Sequence, residues 1–132
     1  PLPVVLPAHP RTVAALRREG LLSWAKDRLD IVDPVGYVDF LRLLDGAERV
    51  ATDSGGVQKE AFYLDTPCVT LREETEWVET VHDGWNHLLD PKQDHFAENI
   101  KAFKPATSQS DIFGTYVTQK MLQIIQTHIL TK

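Results

Sequence analysis

One stretch constrains the fold of this chain more than any other: Arg49-Val50-Ala51-Thr52, followed by Asp53-Ser54-Gly55-Gly56-Val57-Gln58-Lys59-Glu60-Ala61. The first four residues read as a short buried strand. Val57, Ala61 and Leu64 then recur at helical spacing, so a helix begins near Gly55 or Gly56. A first helical turn has backbone N–H groups with no intrahelical acceptor. The helix dipole adds roughly half a positive charge there, and residues without a Cβ let a ligand approach the backbone. Two readings follow. The turn is a cradle for a phosphate or another anion, or it is a plain turn with Asp53 or Ser54 as N-cap. It is neither a P-loop nor the Gly-x-Gly-x-x-Gly fingerprint. Glu60, about one turn in, is ill placed to meet a phosphate and well placed to accept hydrogen bonds from sugar hydroxyls.

The rest of the chain repeats the alternation. Leu2 to Leu6 reads as a strand, Pro7 to Thr12 as a turn, and Arg11 to Glu19 as a helix with Val13, Leu16 and Ala14 inward, stopped by Gly20. His9 leaves the first strand, where it either faces a ligand edge or caps the next helix or meets solvent. Leu21 to Lys26 is ambiguous, with Trp24 expected to pack. Leu29 to Val32 is a second strand, Asp33 to Gly36 a loop, and Tyr37 to Leu44 an amphipathic helix. After the central stretch, whose helix ends near Asp65 in a left-handed cap, come a strand over Cys68 to Leu71 and a charged loop over Arg72 to Glu76. A short helix over Trp77 to His82 stops at Gly84, and a strand covers Asn86 to Leu89. A helix runs over about Gln93 to Lys104, Pro105 to Asp111 is polar and expected to be mobile, and a last helix covers Tyr116 to Leu130.

Short strands separated by helices imply an α/β fold, a parallel sheet with right-handed crossovers. The loops at the strand C-termini then gather on one edge. His9, Pro34-Val35-Gly36, Ser54-Gly55-Gly56 and Arg72 to Glu76 all fall there, and that convergence favours the phosphate reading.

At 132 residues the chain makes a single domain with a real core. A net charge of -5 argues against a general nucleic-acid surface. The apolar runs are too short to span a membrane, and there is no signal-peptide pattern at the start. The one cysteine, Cys68, lies in an apolar strand and reads as a small core residue rather than a nucleophile. A cytoplasmic protein is expected. The chain opens at Pro1 without methionine and enters a strand almost at once, so it is expected to be a piece of a longer protein.

Several blocks together resemble the non-hydrolysing UDP-N-acetylglucosamine 2-epimerases. They are Pro7-Ala8-His9-Pro10-Arg11-Thr12, Pro34-Val35-Gly36-Tyr37-Val38-Asp39-Phe40-Leu41, Thr52 to Ala61, and Leu71-Arg72-Glu73-Glu74-Thr75-Glu76-Trp77-Val78-Glu79. Their order and spacing match over roughly residues 1 to 125. The resemblance implies two Rossmann-like domains facing a cleft, as in GT-B glycosyltransferases, with this chain the C-terminal, UDP-binding half. It implies interconversion of UDP-N-acetylglucosamine and UDP-N-acetylmannosamine by anti elimination of UDP and its re-addition, without metal or nicotinamide cofactor.

Carried over by position, Ser54, Gly55 and Gly56 would hold the diphosphate and Glu60 the ribose hydroxyls. Phe40 and the Val35 backbone would hold the uracil, Arg72 would lie beside the sugar nucleotide, and His9 would face the interdomain cleft. Lys59 stands where many members have an acid, and Trp77 where some have arginine. The family's catalytic carboxylates belong to the N-terminal domain, so no catalytic residue is expected here and the isolated chain is expected to be inactive. The expected partners are that missing domain, toward which the helix of about residues 116–130 is a candidate to pack, and a second copy in a homodimer. Alternatives are a GT-B glycosyltransferase half, a hydrolysing epimerase, and a non-catalytic nucleotide-sugar-binding module.

Overall fold

A computed structural model describes residues 3–128. The chain clusters into two compact units, Pro1–Leu43 and Leu44–Lys132. The fold class is α/β and Rossmann-like: every strand pair is parallel, and helices alternate with strands.

In the first unit, β1 (Val5–Pro7) pairs with β2 (Asp30–Val32) in the register Val5↔Asp30, Leu6↔Ile31, Pro7↔Val32. The expected start of β1 at Leu2 lies outside the described residues. Two helices make the crossover, α1 (Pro10–Arg18) and α2 (Leu22–Lys26). Pro10 suits the first helical position because its missing N–H has no intrahelical acceptor there. Gly20, at φ +70°, ends α1 in a Schellman motif. Leu21 N–H donates to Leu16 O at 2.8 Å and Gly20 N–H to Arg17 O at 3.1 Å. The inward face of α1 carries Val13, Ala15 and Leu16, whereas Ala14 is exposed. The ambiguous stretch is helical, but Trp24 is 55% exposed, its ring covered by the Arg28 guanidinium at 4.7 Å instead of by core. An indole that stacks a cation does not need a core site. α3 (Tyr37–Asp45) carries the chain onward and buries Leu44.

The second unit holds the three-stranded sheet β3 (Val50–Thr52), β4 (Cys68–Thr70), β5 (Asn86–Leu88), in that order. Val50, Cys68 and Asn86 stand in register, as do Thr52, Thr70 and Leu88. β4 is buried at all three positions, as a central parallel strand covered on both faces must be. α4 (Gly55–Tyr63) and α5 (Val78–His82) are the crossovers. Both end in Schellman motifs, with Asp65 (φ 53°) in the left-handed position after α4 and Gly84 (φ 82°) after α5. The buried face of α4 is Gln58, Ala61 and Phe62, not Val57, Ala61 and Leu64.

α6 (Phe96–Ala102) is shorter than expected. The Pro105–Asp111 segment is tied down rather than free. Trp85 Nε1 donates to Thr107 O at 3.0 Å, Gln109 Nε2 to Phe62 O at 2.7 Å, and Ser110 N to the Asp83 carboxylate at 3.1 and 3.2 Å. α7 (Val117–His128) leaves Val117, Met121, Leu122 and Ile125 exposed, and its expected continuation through Ile129 and Leu130 lies outside the described residues. Among the described residues no helix is long and apolar enough to cross a membrane.

Candidate functional site

In the second unit, the parallel sheet sends three loops off one edge: Asp53–Ser54 after β3, the charged loop after β4, and Leu89–Asp90 after β5. The first turn of α4 has no side-chain hydrogen-bond cap. Ser54 occupies the N-cap position in an extended conformation, yet its hydroxyl makes no capping bond. Its own N–H donates to Thr52 Oγ1 at 3.1 Å. The plain-turn reading therefore supplies Ser54 with a place but not with a capping bond. Gly56 and Ser54 are exposed, and Glu60, half-buried one turn on, has no hydrogen-bond or ion-pair partner among the described residues.

The charged loop crosses this turn. The Glu76 carboxylate overlaps the space that a Cβ on Gly55 would need, so only glycine fits at residue 55 with Glu76 where it stands. Arg72 Nη1 holds the other carboxylate oxygen of Glu76 at 3.1 Å. Arg72 also lines an open cleft of about 670 Å³ with Glu73, Glu74, Asp90, Pro91 and Lys92, all at strand C-terminal ends.

Beneath the turn lies a buried polar network that apolar spacing did not reveal. Gln58 and Thr80 are 0% exposed and Asn86 3%. Gln58 Oε1 accepts from Thr75 Oγ1 at 2.5 Å and from Asn86 Nδ2 at 3.1 Å, while Gln58 Nε2 reaches Ser54 O at 3.4 Å. Asn86 Nδ2 also donates to Thr80 Oγ1 at 3.1 Å, and Asn86 Oδ1 accepts from Thr70 Oγ1 at 2.7 Å. Thr80 Oγ1 donates to Trp77 O at 2.7 Å, and Trp77 N–H donates to Thr75 Oγ1 at 3.1 Å. The available signal was Gln58 itself, a polar residue in register with Ala61 and Phe62 on one helix face.

Lys59 does not face open solvent. Its Nζ lies 4.4 Å from the Trp77 ring centroid and 4.7 Å from that of Phe113. Phe113 in turn packs edge-on against Phe62 at 5.4 Å and Trp77 at 6.2 Å. A cation over these rings braces α4 against the segment before α7. Cys68 is buried, which pushes its thiol up to about 11, consistent with a core role.

The other three expected residues, His9, Val35 and Phe40, belong to the first unit, where the β1 and β2 loops also leave one edge. His9 is the N-cap of α1, its Nδ1 accepting from Arg11 N–H at 3.2 Å. That cap uses one ring nitrogen, and the residue is exposed. Val35 is 38% exposed in the loop before α3, and Phe40 is half-buried on α3, its N–H donating to Gly36 O at 2.9 Å.

The sequence model of the UDP-N-acetylglucosamine 2-epimerase family matches residues 1–126. A UDP-N-acetylglucosamine 2-epimerase homolog of Methanococcus maripaludis is 48% identical over 106 residues, covering 79% of this chain and 30% of that protein. The UDP-2,3-diacetamido-2,3-dideoxy-D-glucuronate 2-epimerase of Pseudomonas aeruginosa is 47% identical over 109 residues, 83% of this chain and 30% of its own length. Among solved structures, UDP-GlcNAc 2-epimerase from Methanocaldococcus jannaschii superimposes with a TM-score of 0.84 at 33% identity, over 95% of this chain and 36% of that one. The same enzyme in complex with UDP-GlcNAc and UDP gives a TM-score of 0.76 at 36% identity, over 96% and 36%. The chain thus spans about a third of the length of the proteins it matches.

Proposed function

The chain belongs to the UDP-N-acetylglucosamine 2-epimerase family, and from that membership we propose that it is the UDP-holding part of a longer, two-domain epimerase. That enzyme interconverts UDP-N-acetylglucosamine and UDP-N-acetylmannosamine by eliminating UDP and adding it back. The observation that carries the reading is the uncapped first turn of α4, bounded by Ser54, Gly55 and Gly56, with Arg72 on the adjacent loop. Elimination delivers a growing negative charge to the departing diphosphate. Backbone N–H groups, a helix dipole and a guanidinium fixed beforehand stabilise that charge without reorganising.

In this reading Ser54, Gly55 and Gly56 hold the diphosphate and Glu60 accepts from the ribose hydroxyls. Phe40 and the Val35 backbone take the uracil, Arg72 lies beside the sugar nucleotide, and His9 faces the cleft toward the second domain. UDP that stays bound beside the glycal between the two half-reactions makes re-addition effectively unimolecular. The carboxylates that move protons at C2 belong to the other domain, so this chain alone is inactive. The exposed apolar residues of α7 fit a helix that packs against the rest of the longer protein. A homodimer and a cytoplasmic location complete the proposal.

A second substrate is favoured by the 47% identity to the P. aeruginosa enzyme, namely a UDP-linked 2,3-diacetamido glucuronate. The test is an epimerisation assay of the full-length protein with both UDP sugars, beside the 132-residue chain. Turnover of one sugar by the full-length protein and none by the chain is the expected outcome. Turnover by the chain, or none by the longer protein with either sugar, overturns the proposal.

A further inference from the structure

We propose that Thr75, Gln58 and Asn86 are positioning residues that set the distance between the diphosphate-facing turn and the Arg72–Glu76 loop. The inference rests on the reading of that turn given above. None of the three belongs to the residues proposed to touch ligand, and Gln58 and Asn86 are too buried to do so. What they share is a hydrogen-bond path. It runs from the Ser54 carbonyl through the Gln58 amide to the Thr75 hydroxyl, and from the same Gln58 oxygen through Asn86 to β4 and α5.

The path has a single consistent direction. Thr80 donates to the Trp77 carbonyl, so its oxygen must accept, and Asn86 must present its NH₂ to it. Asn86 Oδ1 then faces Thr70, which donates to it. The second N–H of Asn86 goes to Gln58, whose oxygen therefore accepts and whose NH₂ is left for Ser54 O. Thr75 accepts from the Trp77 N–H and so spends its own proton on Gln58. Each hydroxyl donates once and accepts once, except that Thr70 accepts, if at all, from the Cys68 thiol at 3.8 Å. A path with one workable orientation holds its end points more tightly than separate bonds would. Its end points here are a residue of the turn and a residue of the loop, 21 positions apart in sequence (75 − 54).

The experiment measures UDP affinity of the full 132-residue chain by titration at 25 °C, alongside thermal melts, for wild type, Thr75→Ala and Thr75→Ser. Alanine removes the hydroxyl without placing a methyl against the Gln58 oxygen, and serine restores the hydroxyl. Thr75→Ala is expected to bind UDP about five- to tenfold more weakly, the worth of one hydrogen bond, while melting well above the titration temperature. Thr75→Ser should stay within about twofold of wild type. A variant that is fully folded at 25 °C cannot lose affinity through stability alone, so a lower melting temperature with unchanged affinity overturns the positioning role. Should Thr75→Ala not fold, Gln58→Met provides the same comparison, judged by the same two outcomes. Wild-type chain that fails to bind UDP at all would instead remove the reading of the turn, and this inference with it.

Discussion

The Glu76 carboxylate fills the space that a side chain on Gly55 would have to enter, with its Cδ 3.0 Å and Trp77 Nε1 3.6 Å from the position of that missing Cβ. The obstructing atoms belong to the far end of a side chain that is 51% exposed and can swing aside. Gly55→Ala should therefore fold. Alanine also favours the helix by up to about 1 kcal/mol over glycine. The melting temperature should stay within a few degrees of wild type or rise. UDP affinity should fall about tenfold, because the Cβ keeps a phosphate from the backbone and the Arg72–Glu76 pair is lost. A calorimetric titration showing wild-type affinity would detach Gly55 from the site.

Glu60 is the most exposed to refutation of the proposed ligand residues. Its carboxylate has no partner among the described residues, so removing it breaks nothing within the second unit. Glu60→Ala should leave stability nearly unchanged and cost about 1.5–3 kcal/mol of UDP binding, the worth of a hydrogen bond to a charged group. A deoxyribose analogue should lose most of that difference between wild type and variant. Equal affinities for UDP would take Glu60 out of the site.

Burial raises the Cys68 thiol from 9.0 to about 11. The folded chain therefore keeps its proton at a pH where the unfolded chain has lost it. Stability from this group is fully present below about pH 9 and is lost as the pH rises toward 11. Alkylation by iodoacetamide at pH 8 should be slow in the native chain and fast in urea. Rapid modification without denaturant would contradict the buried, protonated assignment.

Phe113 braces the far end of α4 through Phe62, Tyr63, Trp77 and Lys59. It is half-buried, so Phe113→Ala should cost about 2 kcal/mol, less than a fully buried phenylalanine. Urea unfolding monitored by tryptophan fluorescence reads this directly. A loss below about 0.5 kcal/mol would mean that the ring cluster contributes contact without stability.

The parts of this chain that were legible in its sequence are those whose physics is local. Gly20, Gly84 and even Asp65 announced their helix ends because a left-handed residue is a local demand. Ser54-Gly55-Gly56 announced a helix start because an N-cap position and a missing Cβ are local features too. The Gln58–Thr75–Asn86 network stayed hidden because its members lie 17 and 28 residues apart. No spacing rule shows that three polar side chains will meet once β4 and β5 are paired. Trp24 was misplaced because an indole stacked by Arg28 and an indole in a core look alike in sequence. Pro105–Asp111 was expected to be mobile on its polarity, whereas its bonds come from Asp83, Trp85 and Phe62, far away in the chain.

Binding of uridine diphosphate at the start of α4 is the proposal on which the others depend. The direct test is an NMR titration of the isotopically labelled chain with UDP, with ADP as the control. Amide shifts are expected to be confined to Val35, Phe40, Ser54 to Val57 and Glu60, and to be larger for UDP than for ADP. Equal shifts for both nucleotides, or UDP shifts that miss the start of α4, would contradict it.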